Sequence, residues 1–158
     1  MENEQKTDNA VFEQLTEINL LALCIWAEAR NQGLEGMQAV GSVILNRASR
    51  PGWWGRDIKS VILAPKQFSC FNSDDPKTPR DESDPQREKL VAIAADFISA
   101  LLVDALLRAC RWIAQGLIEK QLLSNVGKAV YYHTKSCDPK WDDNKKPVAT
   151  VKDHLFYV

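Results

Sequence analysis

Glu28 is the residue whose surroundings most favour acid–base chemistry. The apolar pattern predicts a helix over residues 10–29, and on that helix Glu28 lies close to Leu21 and Ile25, in the last turn. Partial burial and the negative end of the helix dipole both disfavour a carboxylate, so we expect a raised pKa for Glu28. A carboxyl group that stays protonated near neutral pH can serve as a general acid on a glycosidic bond.

A structural role for Glu28 stays open at this point, because the carboxylate could instead form a surface ion pair with Arg30 or Arg47. Glu35 is a candidate second carboxyl group, since many glycosidases use two. It falls in the first turn of the next predicted helix, where the helix dipole favours a negative charge. We therefore interpret Glu35 as a structural residue.

A thiol enzyme is the alternative chemistry. Cys70 or Cys137 could pair with His133 or His154 as nucleophile and base, and the same residue types could hold zinc. No compact ligand motif such as C-x-x-C is present, so we expect neither a metal ion nor another cofactor. The remaining two cysteines are predicted to be small buried hydrophobes: Cys24 and Cys110.

The elements that must position these residues are mostly helices. Periodicity predicts further helices over residues 34–49, 58–63 and 86–109, the last extending toward residue 115. A short helix is expected within residues 117–127, and loops with two short strands within residues 129–158. Gly36 and Gly41 lower helix propensity, so we expect close approach of a neighbouring element there.

Composition predicts one compact globular domain. The chain has 158 residues, 45% of them hydrophobic and 26% charged, with a net charge of −1. These values exclude a disordered or fibrous protein and lack the basic character of a nucleic-acid binder. The most apolar stretch, residues 90–109, contains Asp96, Asp104 and Arg108, which predicts an amphipathic helix and no stable membrane insertion.

The first ten residues are polar and acidic, without the pattern of a secretory signal. We therefore expect a cytoplasmic protein with reduced thiols. Residues 1–8 are predicted to be a flexible leader, and residues 9–158 the catalytic domain.

Several short sequence blocks together form a recognisable pattern. The first is W-A-E-A-R at residues 26–30, followed by glycines at 33 and 36, Q-A-V at 38–40 and V-I-L-N-R at 43–47. The others are P-K-Q-F-S-C-F-N at 65–72, A-V-Y-Y-H-T at 129–134, P-K-W at 139–141 and residues 151–157. In their order and approximate separations, these blocks resemble the SleB/CwlJ-type cell wall hydrolases.

The resemblance implies a mainly α (α+β) lysozyme-like fold, similar to lytic transglycosylases, as a single domain with a small irregular β part. It implies that the substrate is the glycan strand of peptidoglycan and that Glu28 is the single catalytic acid/base. The candidate substrate-binding residues are Asn46, Gln67, Phe68, Tyr131, Tyr132, His133 and Trp141. Among the aromatic residues, we expect Tyr132 and either Trp54 or Trp141 at the cleft. We expect four inside the protein: Trp26, Phe68, Phe97 and Trp112.

The expected reaction is cleavage of the β-1,4 bond between N-acetylmuramic acid and N-acetylglucosamine, with formation of 1,6-anhydromuramic ends. A hydrolytic muramidase that uses the same Glu28 and a catalytically inactive glycan-binding module are the alternatives. Without a secretory signal, a monomeric phage or prophage endolysin that reaches the host periplasm after release is the expected biological role.

Overall fold

The fold is mainly helical, with one small antiparallel sheet. The computed structural model describes residues 10–64, 68, 71, 87–137, 139, 141 and 145–158. The helices are α1 (Glu17–Ala29), α2 (Gly33–Ser49), α3 (Ile58–Leu63), α4 (Arg87–Ala95), α5 (Phe97–Val103) and α6 (Ala105–Ile118). The strands are β1 (Tyr131–Thr134), β2 (Ala149–Val151) and β3 (His154–Tyr157). This predominance of helices, with one small sheet, confirms the predicted fold class.

Helix α1 is the central helix. The predicted helix over residues 10–29 is interrupted, because Thr16 is extended and its side chain accepts a hydrogen bond from the Asn19 amide at 3.1 Å, which starts α1. A separate helical segment covers residues 10–13. Residues 20–27 are all buried, as expected of a helix surrounded by protein on nearly every side.

Helix α2 packs closely against the core at Gly41. A Cβ atom added there would lie 2.6 Å from the Leu117 Cδ1 atom and 3.0 Å from the Ile25 Cδ1 atom, so a larger residue would have to displace the ends of these two side chains of α6 and α1. The turn from α1 into α2 requires a positive φ of 69° at Gly33. The predicted close approach of a neighbouring element is therefore confirmed at Gly41, whereas at Gly36 the nearest atom is the Cβ of Gln32, in the turn just before α2.

The single long helix predicted from residue 86 is instead three helices. Asp96 accepts from the Ser99 amide at 3.2 Å and caps α5, and hydrogen bonds from Ser99 hold the pKa of Asp96 below its usual range. Asp104 accepts from the Leu107 amide at 3.0 Å and caps α6. The prediction was wrong because both aspartates start new helices rather than lying on one. The predicted helix start before Arg87 lies outside the described residues.

The segment after α6 contains no helix, although a short one was predicted within residues 117–127. Helix α6 ends at Ile118, and Lys120 takes a positive φ of 60° as the chain turns. The tail then forms three strands rather than two, in the order β1–β3–β2, all antiparallel. Tyr132 pairs with Phe156, and Val151 pairs with His154 across the β2–β3 turn.

Trp112 was expected inside but is 67% exposed. The buried face of α6 is formed by Leu107, Cys110, Ile113, Ala114 and Leu117, and Trp112 lies off that face. The other three aromatic residues predicted inside are indeed buried: Trp26, Phe68 and Phe97.

Among the described residues, no helix is both long and apolar enough to cross a membrane. Residues 1–8 lie outside the described part of the chain, so the division into a leader and a catalytic domain stays a prediction.

Candidate active site

Glu28 lies half-buried in the last turn of α1, where the sequence placed it. The Tyr132 hydroxyl donates to Glu28 Oε2, with 3.4 Å between the two oxygens. The Tyr132 ring is itself held by stacking on Phe156, with centroids 5.6 Å apart, and by an edge contact with His154 at 5.2 Å. A rigid ring from β1 therefore carries a hydroxyl to the carboxyl group of α1.

Arg47 supplies a buried positive charge next to this pair. It is 7% exposed, and its Nε donates to the Val130 carbonyl at 2.7 Å. Burial lowers the pKa of Arg47, and neighbouring Tyr132, Tyr131, Cys24 and Glu28 oppose that effect. Because the attraction between Arg47 and Glu28 is mutual, it also stabilises the Glu28 carboxylate.

Cys24 lies one helical turn before Glu28 and is fully buried. Burial, and then the negative charge of Glu28, raise the pKa of the Cys24 thiol well above its ordinary value. Cys24 thus stays a neutral, uncharged neighbour of the carboxyl group.

The sheet is tied to the helices by side chains of α2 and of the turn before it. Asn46 donates to the carbonyls of Gly127 and Ala129, both at 2.9 Å, just before β1 begins. Gln32 donates to the Asp153 carboxylate at 3.2 Å and accepts from the Asp153 amide at 3.1 Å. These hydrogen bonds, together with the one from Arg47 to the Val130 carbonyl, hold the start of β1 and the β2–β3 turn against the helices. They therefore fix the position of Tyr132 relative to Glu28.

An open cavity of about 420 Å³ lies next to Arg47 and Tyr132, the two residues that interact with Glu28. Its lining residues are Arg47, Trp53, Tyr131, Tyr132, Trp141 and Lys145. Trp141 is 44% exposed and packs against Tyr131 with centroids 5.4 Å apart. Glu28 is not itself among these described lining residues, so the cavity is linked to its carboxyl group through Arg47 and Tyr132.

The structure brings together Tyr131, Tyr132 and Trp141 of the predicted substrate-binding residues. Asn46 has its amide turned to the backbone before β1, which is a supporting position. Phe68 is 2% exposed, with the Arg47 guanidinium 5.8 Å from its ring centre, so we expect it to support Arg47. Gln67 lies outside the described residues.

His133 is buried on the face of β1 opposite to Tyr132. Its Nδ1 lies 2.7 Å from the Thr134 carbonyl, which can only accept, so Nδ1 donates. Its Nε2 lies 3.0 Å from the Tyr157 hydroxyl, and the two rings stack with centroids 5.3 Å apart. These contacts favour a structural role for His133 in the sheet.

Three residues that line the cavity are not among the predicted substrate-binding residues: Arg47, Trp53 and Lys145. Trp53 is 70% exposed, while its neighbour Trp54 turns inward and donates its Nε1 to the Arg47 carbonyl at 2.9 Å. The pair of tryptophans was visible in the sequence, but not which of them faces the cavity. No sequence pattern indicated Lys145.

The thiol alternative rests on Cys70 or Cys137, and the other two cysteines are buried as predicted. Cys24 and Cys110 are buried, and burial raises the pKa of the Cys110 thiol to about 12. Cys137 is exposed, and Cys70 lies outside the described residues. Within the part of the chain that the structure describes, no three His, Cys, Asp or Glu side chains are grouped to hold a metal ion.

A half-buried carboxyl group beside an aromatic cavity, on a mainly helical scaffold, suits an enzyme that acts on a carbohydrate. The sequence matches the family model described as Cell Wall Hydrolase over residues 31–157. The chain belongs to this cell wall hydrolase family, because the match spans most of its length. Membership confirms the resemblance seen in the sequence and the expectation of an enzyme that degrades peptidoglycan. The match begins at residue 31, so Glu28 lies just before the matched region.

Two solved structures share the fold. The catalytic domain of the Bacillus cereus SleB protein has a TM-score of 0.55 and 20% identity, covering 89% of this chain and 88% of that one. The catalytic domain of the germination-specific lytic transglycosylase SleB from Bacillus anthracis has a TM-score of 0.57 and 20% identity, covering 89% and 92%. No curated protein matches the sequence. The similarity in fold confirms the lysozyme-like architecture.

Proposed function

We propose that the protein cleaves the β-1,4 bond between N-acetylmuramic acid and N-acetylglucosamine in peptidoglycan, with Glu28 as the single acid/base. The observation that carries this proposal is that Glu28 is half-buried and accepts a hydrogen bond from Tyr132, which lines an aromatic cavity that can hold a sugar. Sugar rings have apolar faces that pack on aromatic side chains, and the cavity presents Trp53, Tyr131 and Trp141 for such contacts.

In the proposed mechanism, Glu28 first donates its proton to the glycosidic oxygen as the bond from that oxygen to the muramyl C1 breaks. The nearby positive charge of Arg47 stabilises the carboxylate that results. The carboxylate then takes the proton of the muramyl C6 hydroxyl while its oxygen bonds to C1, which closes a 1,6-anhydro ring. Tyr132 orients the carboxyl group through its hydroxyl.

The transglycosylase is preferred over the hydrolase because it needs a single carboxyl group. An enzyme that activates water often uses a second carboxylate, whereas the proposed reaction uses Glu28 alone. An attacking hydroxyl of the sugar itself needs only proximity and one base. The relative from Bacillus anthracis is described as a lytic transglycosylase, which supports the same choice.

Mass spectrometry of the fragments released from purified peptidoglycan tests the proposal. We expect 1,6-anhydromuramic ends in the wild-type products. Reducing muramic ends would instead establish the hydrolytic muramidase, and fragments cut only within the peptides would contradict both. Binding of peptidoglycan without any cleavage would establish the inactive glycan-binding module.

The proposed biological role is that of a phage or prophage endolysin that acts as a monomer. We base this role on the expectation, from the sequence, that the protein stays in the cytoplasm until the membrane opens. Bacteria that express the chain should stay intact until their membrane is permeabilised, and should then lyse. Lysis without permeabilisation would contradict this role.

A further inference from the structure

The cavity beside Glu28 combines exposed aromatic surface with fixed aromatic packing. Tyr131 lies between Trp54 and Trp141, with ring centroids 6.1 Å and 5.4 Å away, so its orientation is held from both sides. Trp53 packs on Trp54 at 5.5 Å and leaves 70% of its surface exposed. Large exposed aromatic surfaces around a cavity are typical of a binding site.

The two charged residues among the described lining residues of this cavity, Arg47 and Lys145, are both positive, although the whole chain has a net charge of −1. Arg47 is buried, and its Nε is held by the Val130 carbonyl. Lys145 differs, because it is exposed and its Nζ lies 5.8 Å from the centre of the Tyr131 ring. Lys145 can therefore reach a ligand whose body packs on the same aromatic rings.

An uncharged sugar would gain little from the positive charge of Lys145 in this cavity. We propose that the cavity is a subsite for a sugar that carries an acidic peptide, with the rings of Tyr131 and Trp141 under the sugar and Lys145 on a peptide carboxylate. The inference rests on the proposed function and specifies it, because the peptides of peptidoglycan carry free carboxylates. The volume of about 420 Å³ is within the range of small-molecule sites and is enough for the sugar, while the peptide would extend out of the open cavity past the exposed Lys145.

The test compares two soluble substrates, glycan fragments with their peptides and the same fragments after the peptides have been removed. We expect Lys145→Gln to lower kcat/KM on peptide-bearing fragments roughly fivefold and Lys145→Glu more than tenfold, with a decrease of no more than about twofold on peptide-free fragments. The difference between the substrates should shrink at high salt, since Lys145 is exposed.

Lys146 provides the matched control. It is also exposed and adjoins Lys145 in sequence but does not line the cavity. Lys146→Glu makes the same change in total charge, so it should leave kcat/KM on both substrates within about twofold. Equal effects of Lys145→Glu and Lys146→Glu would overturn the proposal, because they would indicate general repulsion. Equal loss on both substrates by Lys145→Glu would overturn it too.

Binding to the Glu28→Gln protein separates this inference from the proposed reaction. Disaccharide–peptide fragments should bind more tightly than the peptide-free disaccharide, and Lys145→Glu should abolish the difference. This result would support the subsite even if the enzyme turned out to break another bond. No preference for the peptide-bearing fragment, in a protein that still cleaves glycan strands, would overturn the subsite and leave the proposed function intact.

Discussion

At the scale of single residues, Glu28 is surrounded by groups from three elements. The apolar pattern of the first helix was enough to predict its half-buried position at the last turn. Its neighbours Arg47 and Tyr132 are 19 and 104 positions further along the chain, and helical periodicity cannot bring such distant residues together. Tyr132 was anticipated only through the resemblance to a family.

Glu28→Gln should lower the rate of wall lysis by about 10²–10⁴-fold, which is the typical contribution of a general acid. The amide keeps the size of the side chain and can still accept from the Tyr132 hydroxyl, but it carries no transferable proton. We expect little change in Tm, because the substitution removes a carboxyl group disfavoured by burial but also removes its attraction to Arg47. Lysis rates and thermal unfolding measure the two effects.

Glu35→Gln is the control for that variant. Glu35 is exposed in the first turn of α2, where the helix dipole favours its negative charge. Its variant should retain most of the activity. An active Glu28→Gln protein, or an inactive Glu35→Gln protein that remains folded, would show that the catalytic residue has been misassigned.

The ionisation of the buried Cys110 thiol should make the stability of the wild-type protein depend on pH, and Cys110→Ala should remove this contribution. Burial, and next the charge of Asp104, raise the pKa of Cys110 from 9.0 to about 12. The folded state therefore holds this proton more tightly, and the resulting stability is fully present below pH 9 and is lost as the pH rises toward 12. The loss amounts to about 1.4 kcal/mol for each pH unit in this window.

The measurement is the difference in Tm between wild type and Cys110→Ala. This difference should be largest at pH 7 and should narrow from pH 9 to pH 11, because the alanine variant has no thiol to ionise. Cys137→Ala, at an exposed position, serves as the reference and should show a constant difference. A constant difference for Cys110→Ala as well would contradict the burial of its thiol.

At the scale of elements, the central helices could be predicted and their ends could not. Residues 86–109 are apolar enough to suggest one helix, yet Asp96 and Asp104 divide them into α4, α5 and α6. The apolar pattern alone does not distinguish an aspartate on a helix surface from an aspartate that starts a new helix. The distinction depends on whether the preceding turn can pack, which is decided by tertiary contacts.

Asp104→Ala should destabilise the protein by about 2–3 kcal/mol. The carboxylate caps α6 and also accepts from Trp26 Nε1 at 3.1 Å, so its removal leaves the helix start and a mostly buried indole without this partner. Asp96→Ala removes only a fully exposed cap from α5 and should lower Tm less. Chemical denaturation of both variants checks the order, and an equal loss would contradict the link between α1 and α6.

At the scale of the whole molecule, the cavity depends on how residues of α2, of the segment after α2, of β1 and of the chain before β2 come together. Trp53 follows α2 and Lys145 precedes β2, and no local pattern indicates that these two residues share a cavity. The error at Trp112 has a related origin, since the buried face of α6 is set by its packing on α1 and α2. Composition and periodicity predicted the fold class, whereas the relative placement of sheet and helices came only from the structure.

Asn46→Ala tests whether that placement is required for activity. Its two hydrogen bonds to the carbonyls of Gly127 and Ala129 hold the chain just before β1, and their loss should cost about 1–3 kcal/mol. Because Tyr132 follows three residues later, a looser β1 should position Glu28 less well. We expect a fall in kcat of roughly tenfold while far-UV circular dichroism remains helical.

Gln38→Ala is the matched control, because Gln38 also lies on α2 and donates to a backbone carbonyl, that of Leu123, at 2.7 Å. That carbonyl lies four residues before Gly127, further from β1, so its loss should lower stability slightly and leave kcat within about twofold. If both variants lost activity equally, general loosening of the loop after α6 would explain the result. If neither did, the helices would hold Glu28 in a reactive position without the sheet, and Tyr132 would not be needed to orient it.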